Sequence, residues 1–373
     1  MIHWRSGTVR EIGRARRGAV RLVVDVDGVA TPALALPEVV GSPEVGDTVL
    51  LNVSALRREL GTGGHALVVA DASRLPADPA DGPGHIVKAR YTPLQQMVLA
   101  LEEQESPHHE AMREHPAVAA GDLQGMPVVV AELHSALPAV LAGLRAARPQ
   151  ARVGYVMTDT AALPFAQSDL VAVLVDAGWL DTTISAGQAF GAEHEAITVH
   201  SALLAARHVL GCDVVVVAQG PGNAGSSTTW GWSGLATGDV LNAVHVLRGR
   251  AIAVPRVSAS DARERHLGLS HHTTTVLSRV LLGSADVVVP DDATDPWPRV
   301  REQVETAVAA SAGSPRVVPL ASTDATDDLA ASPVPLSTMG RSVEADPTPF
   351  VNAALAGRHA AALLHDDHNP AGP

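Results

Sequence analysis

Two short runs hold a disproportionate share of the side chains able to do chemistry. One is Ser106-Pro107-His108-His109-Glu110; the other extends from Asp261 through Arg263, Arg265 and His266 to Ser270-His271-His272. Imidazoles ligate divalent cations and exchange protons near neutral pH, and a neighbouring carboxylate orients them for either task. No H-E-x-x-H or similar zinc spacing occurs, so roles are assigned by residue type. His271, His272 and His266 are the expected catalytic histidines, with Asp261 orienting one of them. Arg263, and Arg265 beside it, suit an anionic substrate, because a guanidinium can hold a carboxylate or phosphate with two hydrogen bonds. A divalent metal at His108, His109 and His271 is expected if the two histidine clusters share a pocket. Adjacent residues point different ways, so one member of each pair is expected to serve structure, and His272 or Thr273 could cap a helix running to Gly283.

Anion binding is the second chemistry on offer. Gly220, Gly222 and Gly225 are spaced G-x-G-x-x-G after an apolar run, and hydroxyl residues follow. Backbone amides and hydroxyls so placed favour a phosphate or carboxylate. Gly220, Gly222, Asn223, Gly225, Ser226, Ser227 and Thr228 are therefore expected to contact the ligand. A dinucleotide fingerprint would run straight into a helix from the first strand of its unit. Here Ser226 to Gly234 intervene and the strand is the fourth, so NAD or FAD is not expected. No Walker lysine is present, and Gly231-Trp232-Ser233-Gly234-Leu235 departs from a nucleophile elbow at Leu235.

These groups need a scaffold, and the hydrophobic pattern supplies one. From about residue 125, apolar β-type runs alternate with helix-length segments. The runs are 127–131, 152–157, 181–185, 213–218, 251–255, 285–289 and 316–319. Ser135 and Ser168 stand where helices would start, and Gly178, Gly211, Gly249 and Gly283 where they would stop. Strands this apolar are buried on both faces, which predicts a doubly wound, Rossmann-like, mainly parallel α/β sheet with flanking helices. In such sheets ligands bind beyond the carboxyl ends of the strands. Glu132, His134, Asp159 and Gln188 follow those ends and join the expected ligand-binding set. The segments entering the strands are short and ordinary.

Residues 1–72 read differently. Short β-patterned runs at 7–12, 19–26, 29–36, 46–53 and 66–70, with a hairpin signal at Asp27-Gly28, predict a small barrel-like domain. Residues 73–124 form a linker and helical connector, 125–320 the α/β domain, and 321–373 a loop-like tail with a final helix from Pro349 to Leu364.

The chain of 373 residues has a net charge of −13 and is 46% hydrophobic, enough for a buried core. Excess acid argues against nucleic acid as a partner, since phosphate backbones require clustered positive charge. No apolar run of about 18 residues is present to span a membrane, and the first residues do not read as a signal peptide. A cytoplasmic protein is expected, with a homo-oligomer compatible. Cys212, the single cysteine, opens an apolar strand and is expected to be a packed thiol. Lys88, the single lysine, is expected to be exposed.

Several motifs in the same order resemble a bacterial family known as domain of unknown function 3866. They are Leu51-Asn52-Val53 through Leu60-Gly61-Thr62-Gly63-Gly64-His65, Tyr91-Thr92-Pro93-Leu94-Gln95, Ser106 to Glu110, Gln219 to Gly222, Arg263 to His266 with Ser270 to His272, and Ser337-Thr338-Met339-Gly340-Arg341. The resemblance implies a housekeeping-type soluble bacterial protein and brings no activity or cofactor with it. The residues themselves lead to an enzyme acting on a small anionic, perhaps phosphorylated, metabolite by metal-assisted hydrolysis or group transfer. The alternative is a metabolite-sensing or scaffold protein that uses the same pocket without turnover.

Overall fold

Alternation at period 2 leaves each N-terminal strand with one apolar face, and five such strands hide it by closing on one another. The computed structural model describes residues 2–364 except 60, 61, 79 and 81. In it β1 (Trp4–Arg16), β2 (Ala19–Val26), β3 (Val29–Ala35), β4 (Thr48–Asn52) and β5 (Ala66–Asp71) form a closed barrel in the order β1-β2-β3-β5-β4. Val9, Leu22, Val24, Val49 and Leu51 fill its interior. Asp27 and Gly28 both take positive φ in the tight turn between β2 and β3, as that hairpin requires. Leu60-Gly61 and the end of the tail, 365–373, lie outside the described residues.

The connector contains a hairpin, Ile86–Lys88 with Gln96–Val98, and two short helices, His109–Glu114 and Pro116–Ala119. Lys88 corrects an expectation, since it is 1% exposed. Its Nζ donates to the carbonyls of Ser185, Ala189 and Ala196 and to the Glu195 carboxylate at 2.8–3.0 Å. A buried ammonium is tolerable only when so surrounded by acceptors.

The α/β part is an eight-stranded sheet with every pair parallel. Its strands are β6 (Pro127–Ala131), β7 (Val153–Thr158), β8 (Thr182–Ala186), β9 (His194–Ala196), β10 (Val214–Gln219), β11 (Arg250–Val254), β12 (Ser284–Pro290) and β13 (Ser314–Leu320), ordered β9-β8-β7-β10-β6-β11-β12-β13. Seven of these follow the apolar runs. The eighth, β9, is a three-residue edge strand, His-Glu-Ala, too short and polar to show in a hydrophobic pattern. Cys212 is fully buried, and burial pushes its thiol up to about 12.

Helix starts and tail differ in detail from expectation. Ser168 does cap its helix, accepting from the Val171 amide. Ser135 does not; its hydroxyl pairs with that of Thr338, and helix α1 (Leu137–Ala147) begins without a side-chain cap. The tail is more ordered than loop-like, with a helix at Thr323–Leu329 and a two-stranded turn of Ser337–Thr338 and Arg341–Ser342. The closing helix, α2 (Thr348–Ala362), packs on α1 at glycine contacts. A Cβ at Gly357 would stand 1.9 Å from the Val140 carbonyl, and one at Gly143 would stand 2.0 Å from that of Ala354. Among the described residues no helix is long and apolar enough to cross a membrane.

Candidate functional site

Strand order creates the site. From β6 the chain moves to β7 on one side, whereas from β10 it returns past β6 to β11 on the other. Right-handed crossovers running in opposite directions place their helices on opposite faces, which opens a crevice at the carboxyl ends of β10, β6 and β11. Three side chains just beyond those ends converge there. Glu132 follows β6, Asn223 follows β10 and Arg256 follows β11. One oxygen of Glu132 accepts from Arg256 Nη1 at 2.8 Å, Asn223 Nδ2 at 3.0 Å and His272 Nδ1 at 2.6 Å. Gly234 is required beside it, because a Cβ there would lie 2.4 Å from Glu132 Cγ.

His272 belongs to a set of three. Ser270 caps the short helix His271–Thr275, accepting from the His272 amide, so neither His272 nor Thr273 performs that task. Thr273 instead accepts from the Arg256 amide. The same Ser270 hydroxyl lies 2.7 Å from His266 Nδ1. Nδ1 of His266 is thus held by Ser270 and Nδ1 of His272 by Glu132, and among the described residues neither ring makes a hydrogen bond through Nε2. His271 Nε2 is itself buried and without a hydrogen-bond partner. Each of the three offers one nitrogen within 4.8 Å of the others. Their ring centroids are 4.4–5.0 Å apart. Trp232 lies flat on His272 at 3.8 Å and fixes the plane of that ring.

The electrostatics favour the neutral form of His266 and His271. Burial lowers the His266 pKa to about 3, assisted by the nearby Arg256 and Arg263 charges. His271 is lowered by burial and by His272 and Arg265 beside it. Glu132 goes the other way from a typical buried acid. Burial works to raise it, but the His272 hydrogen bond and the Arg256 guanidinium outweigh burial and hold it ionised. Three clustered imidazoles with an anionic carboxylate behind one of them are a good donor set for a divalent cation.

Other expected residues have different positions. The composite of two histidine clusters does not form. His109 Nδ1 is 2.8 Å from the Glu102 carbonyl, and His108 packs on His194 of edge strand β9 at 5.8 Å. Four strand spacings separate β9 from β6, roughly 19 Å. His134 is buried and structural, its Nδ1 facing the Gln219 carbonyl and its Nε2 the Ser168 hydroxyl. Asp159 accepts from the Gln188 amide, and Gln188 accepts from the Arg90 amide, away from the histidines. Arg263 is committed to Asp261 through two bonds of 2.8–2.9 Å, which hold that carboxyl far below its usual range, and Arg341 approaches the same group. Asp261 therefore orients no histidine. Arg265 is the exposed cation near His271.

The glycine loop is a self-bonded hairpin. Gly225 bridges Trp232, and Ser226 Oγ pairs with Thr228 Oγ1 and the Gly231 carbonyl. Gly225, Ser226, Ser227 and Thr228 lie exposed, and the helix that follows, Ala236–Val246, begins after a 3₁₀ turn, so no cradle runs into its N-terminus. Of this loop only Asn223 reaches Glu132. Arg256 and Trp232 were missed as site residues. Arg256 directly follows the 251–255 run, so the carboxyl-end rule could have found it; Trp232 carries no signal short of the fold.

A closed barrel joined to a doubly wound parallel sheet, with three histidines at the switch point, defines a two-part α/β protein with a candidate metal centre. The family described as protein of unknown function, domain of unknown function 3866, matches residues 32–357, and the chain belongs to that family. The match begins in the barrel and ends in α2, so it takes in both parts. Comparison with curated proteins gives no match.

Proposed function

We propose that this chain is a metal-dependent enzyme acting on a small anionic substrate, by hydrolysis or group transfer. The carrying observation is the buried, unpartnered Nε2 of His271, in a cluster where His266, His271 and His272 each offer one nitrogen within 4.8 Å of the others. A three-histidine site leaves further coordination positions for water and substrate, and the cation would acidify that water and polarise the substrate oxygen. Glu132 orients His272, Arg256 keeps Glu132 ionised, and Arg265 is the cation available to an anionic group. The test is elemental analysis after loading with Zn²⁺, Mn²⁺ or Fe²⁺ and dialysis, then assays against phosphate and carboxylate esters. One equivalent of metal in the wild type, lost with turnover in His271→Ala, is expected; a metal-free protein overturns the reading.

One observation favours a non-catalytic second reading, a metal-bound sensor. The carboxylates Glu132, Asp159 and Asp261 are all engaged by donors and none stands free as a general base. Stoichiometric metal without turnover of any ester would select it.

A further inference from the structure

A barrel strand normally shows polar residues outside, yet two neighbouring strands here break that rule. Ala33 and Ala35 of β3 and Ala66 and Val68 of β5 face the barrel core. Their alternates, Leu34, Leu67 and Val69, point outward, with Leu34 paired to Leu67 across the strands. Leu163 and Phe190, from segments following β7 and β8, face them, and between the two parts lies a cavity of about 760 Å³. That volume is in the range of small-molecule sites, which favour domain interfaces. It lies beyond β7, β8 and β10, and none of the three histidines lines it.

One end of this apolar cavity is cationic. Arg16 and Arg21 both reach Asp169, so two guanidinium groups face a single carboxylate. Arg16 has an 11% exposed side chain; its Nη1 lies 2.5 Å from the Asp169 carboxylate, and its Nε is buried without a hydrogen bond. A nearly buried guanidinium with an unsatisfied donor is costly unless an acceptor arrives. The surplus positive charge calls for a single negative one, and the apolar walls call for a hydrocarbon body.

We infer that this interdomain cavity binds an aliphatic carboxylate, its head group on Arg16 and its chain along Leu34, Leu67 and Val69. The binding is independent of the metal centre, so His271→Ala leaves it intact.

Isothermal titration of the full chain with dodecanoate below its micelle-forming concentration tests this, with dodecyltrimethylammonium as the charge-reversed control. One site for dodecanoate, at least tenfold tighter than for the cation, is expected. Arg16→Gln weakens it about tenfold or more, as loss of a charge-assisted bond does. Leu67→Trp, which fills the cavity and keeps both arginines, abolishes it. Equal binding of the two amphiphiles, multiple weak sites, or unchanged affinity in Leu67→Trp overturns the inference. The tryptophan variant decides the matter even where Arg16→Gln does not fold.

Discussion

At the scale of single residues, His271, His272 and Glu132 make separable contributions. Glu132 is not itself a proposed ligand; its carboxylate lies 2.6 Å from His272 Nδ1 and orients that ring. Glu132→Gln should weaken metal binding by about 10–100-fold without removing a ligand. Competition with a chromophoric chelator reads this, and an unchanged affinity would remove Glu132 from the site. His134 makes a pH prediction. Burial lowers its pKa from 6.5 to about 4. Between those values the unfolded chain binds a proton that the folded chain excludes. Stability is therefore full above pH 6.5, declines as pH falls, and is about 3 kcal/mol lower below pH 4. Urea unfolding across that range should show a shallower acid slope in His134→Gln. Identical slopes would mean that another group sets the acid response.

At the scale of elements, α1 and α2 meet backbone to backbone. Gly357 has the Val140 carbonyl within reach of any added carbon, and Gly143 the Ala354 carbonyl. Neither contact can be relieved by rotating a side chain. Gly357→Ala should thus destabilise by about 1–3 kcal/mol, as overpacking does, although alanine is the better helix former. Thermal denaturation checks it; a stabilised variant would mean the helices separate easily. The helices were legible from their periodicity, and Ser168 from its place before one. The Ser135 cap was wrong because a hydroxyl near a helix start can find a tertiary partner, here Thr338, that a local rule does not contain.

At the scale of the whole molecule, Lys88 joins the connector to the edge of the sheet. Removing one partner of a buried pair leaves the other uncompensated, at a cost of about 3–5 kcal/mol. Lys88→Met should lower stability by about that amount and raise hydrogen exchange in 86–98 and 194–196. Exchange confined to the wild-type pattern would show that the connector is held otherwise.

Family and fold class were already written in the sequence. Period-2 runs with turn residues forced a barrel, and runs of valine buried on both faces forced a parallel sheet. The carboxyl-edge rule then pointed to Glu132, Asn223 and the 266–272 histidines. What the sequence could not contain was distance across the sheet. Strand order alone put β11 beside β6 and β9 four strands away, so His272 meets Glu132, with His271 beside it, while His108 and His109 do not. It also decided which polar groups are already satisfied. Arg263 and the loop hydroxyls have partners at home, whereas His271 Nε2 and Arg16 Nε are buried without one. Composition and spacing announce a side chain's capacity to bind; only tertiary packing determines whether that capacity is left open.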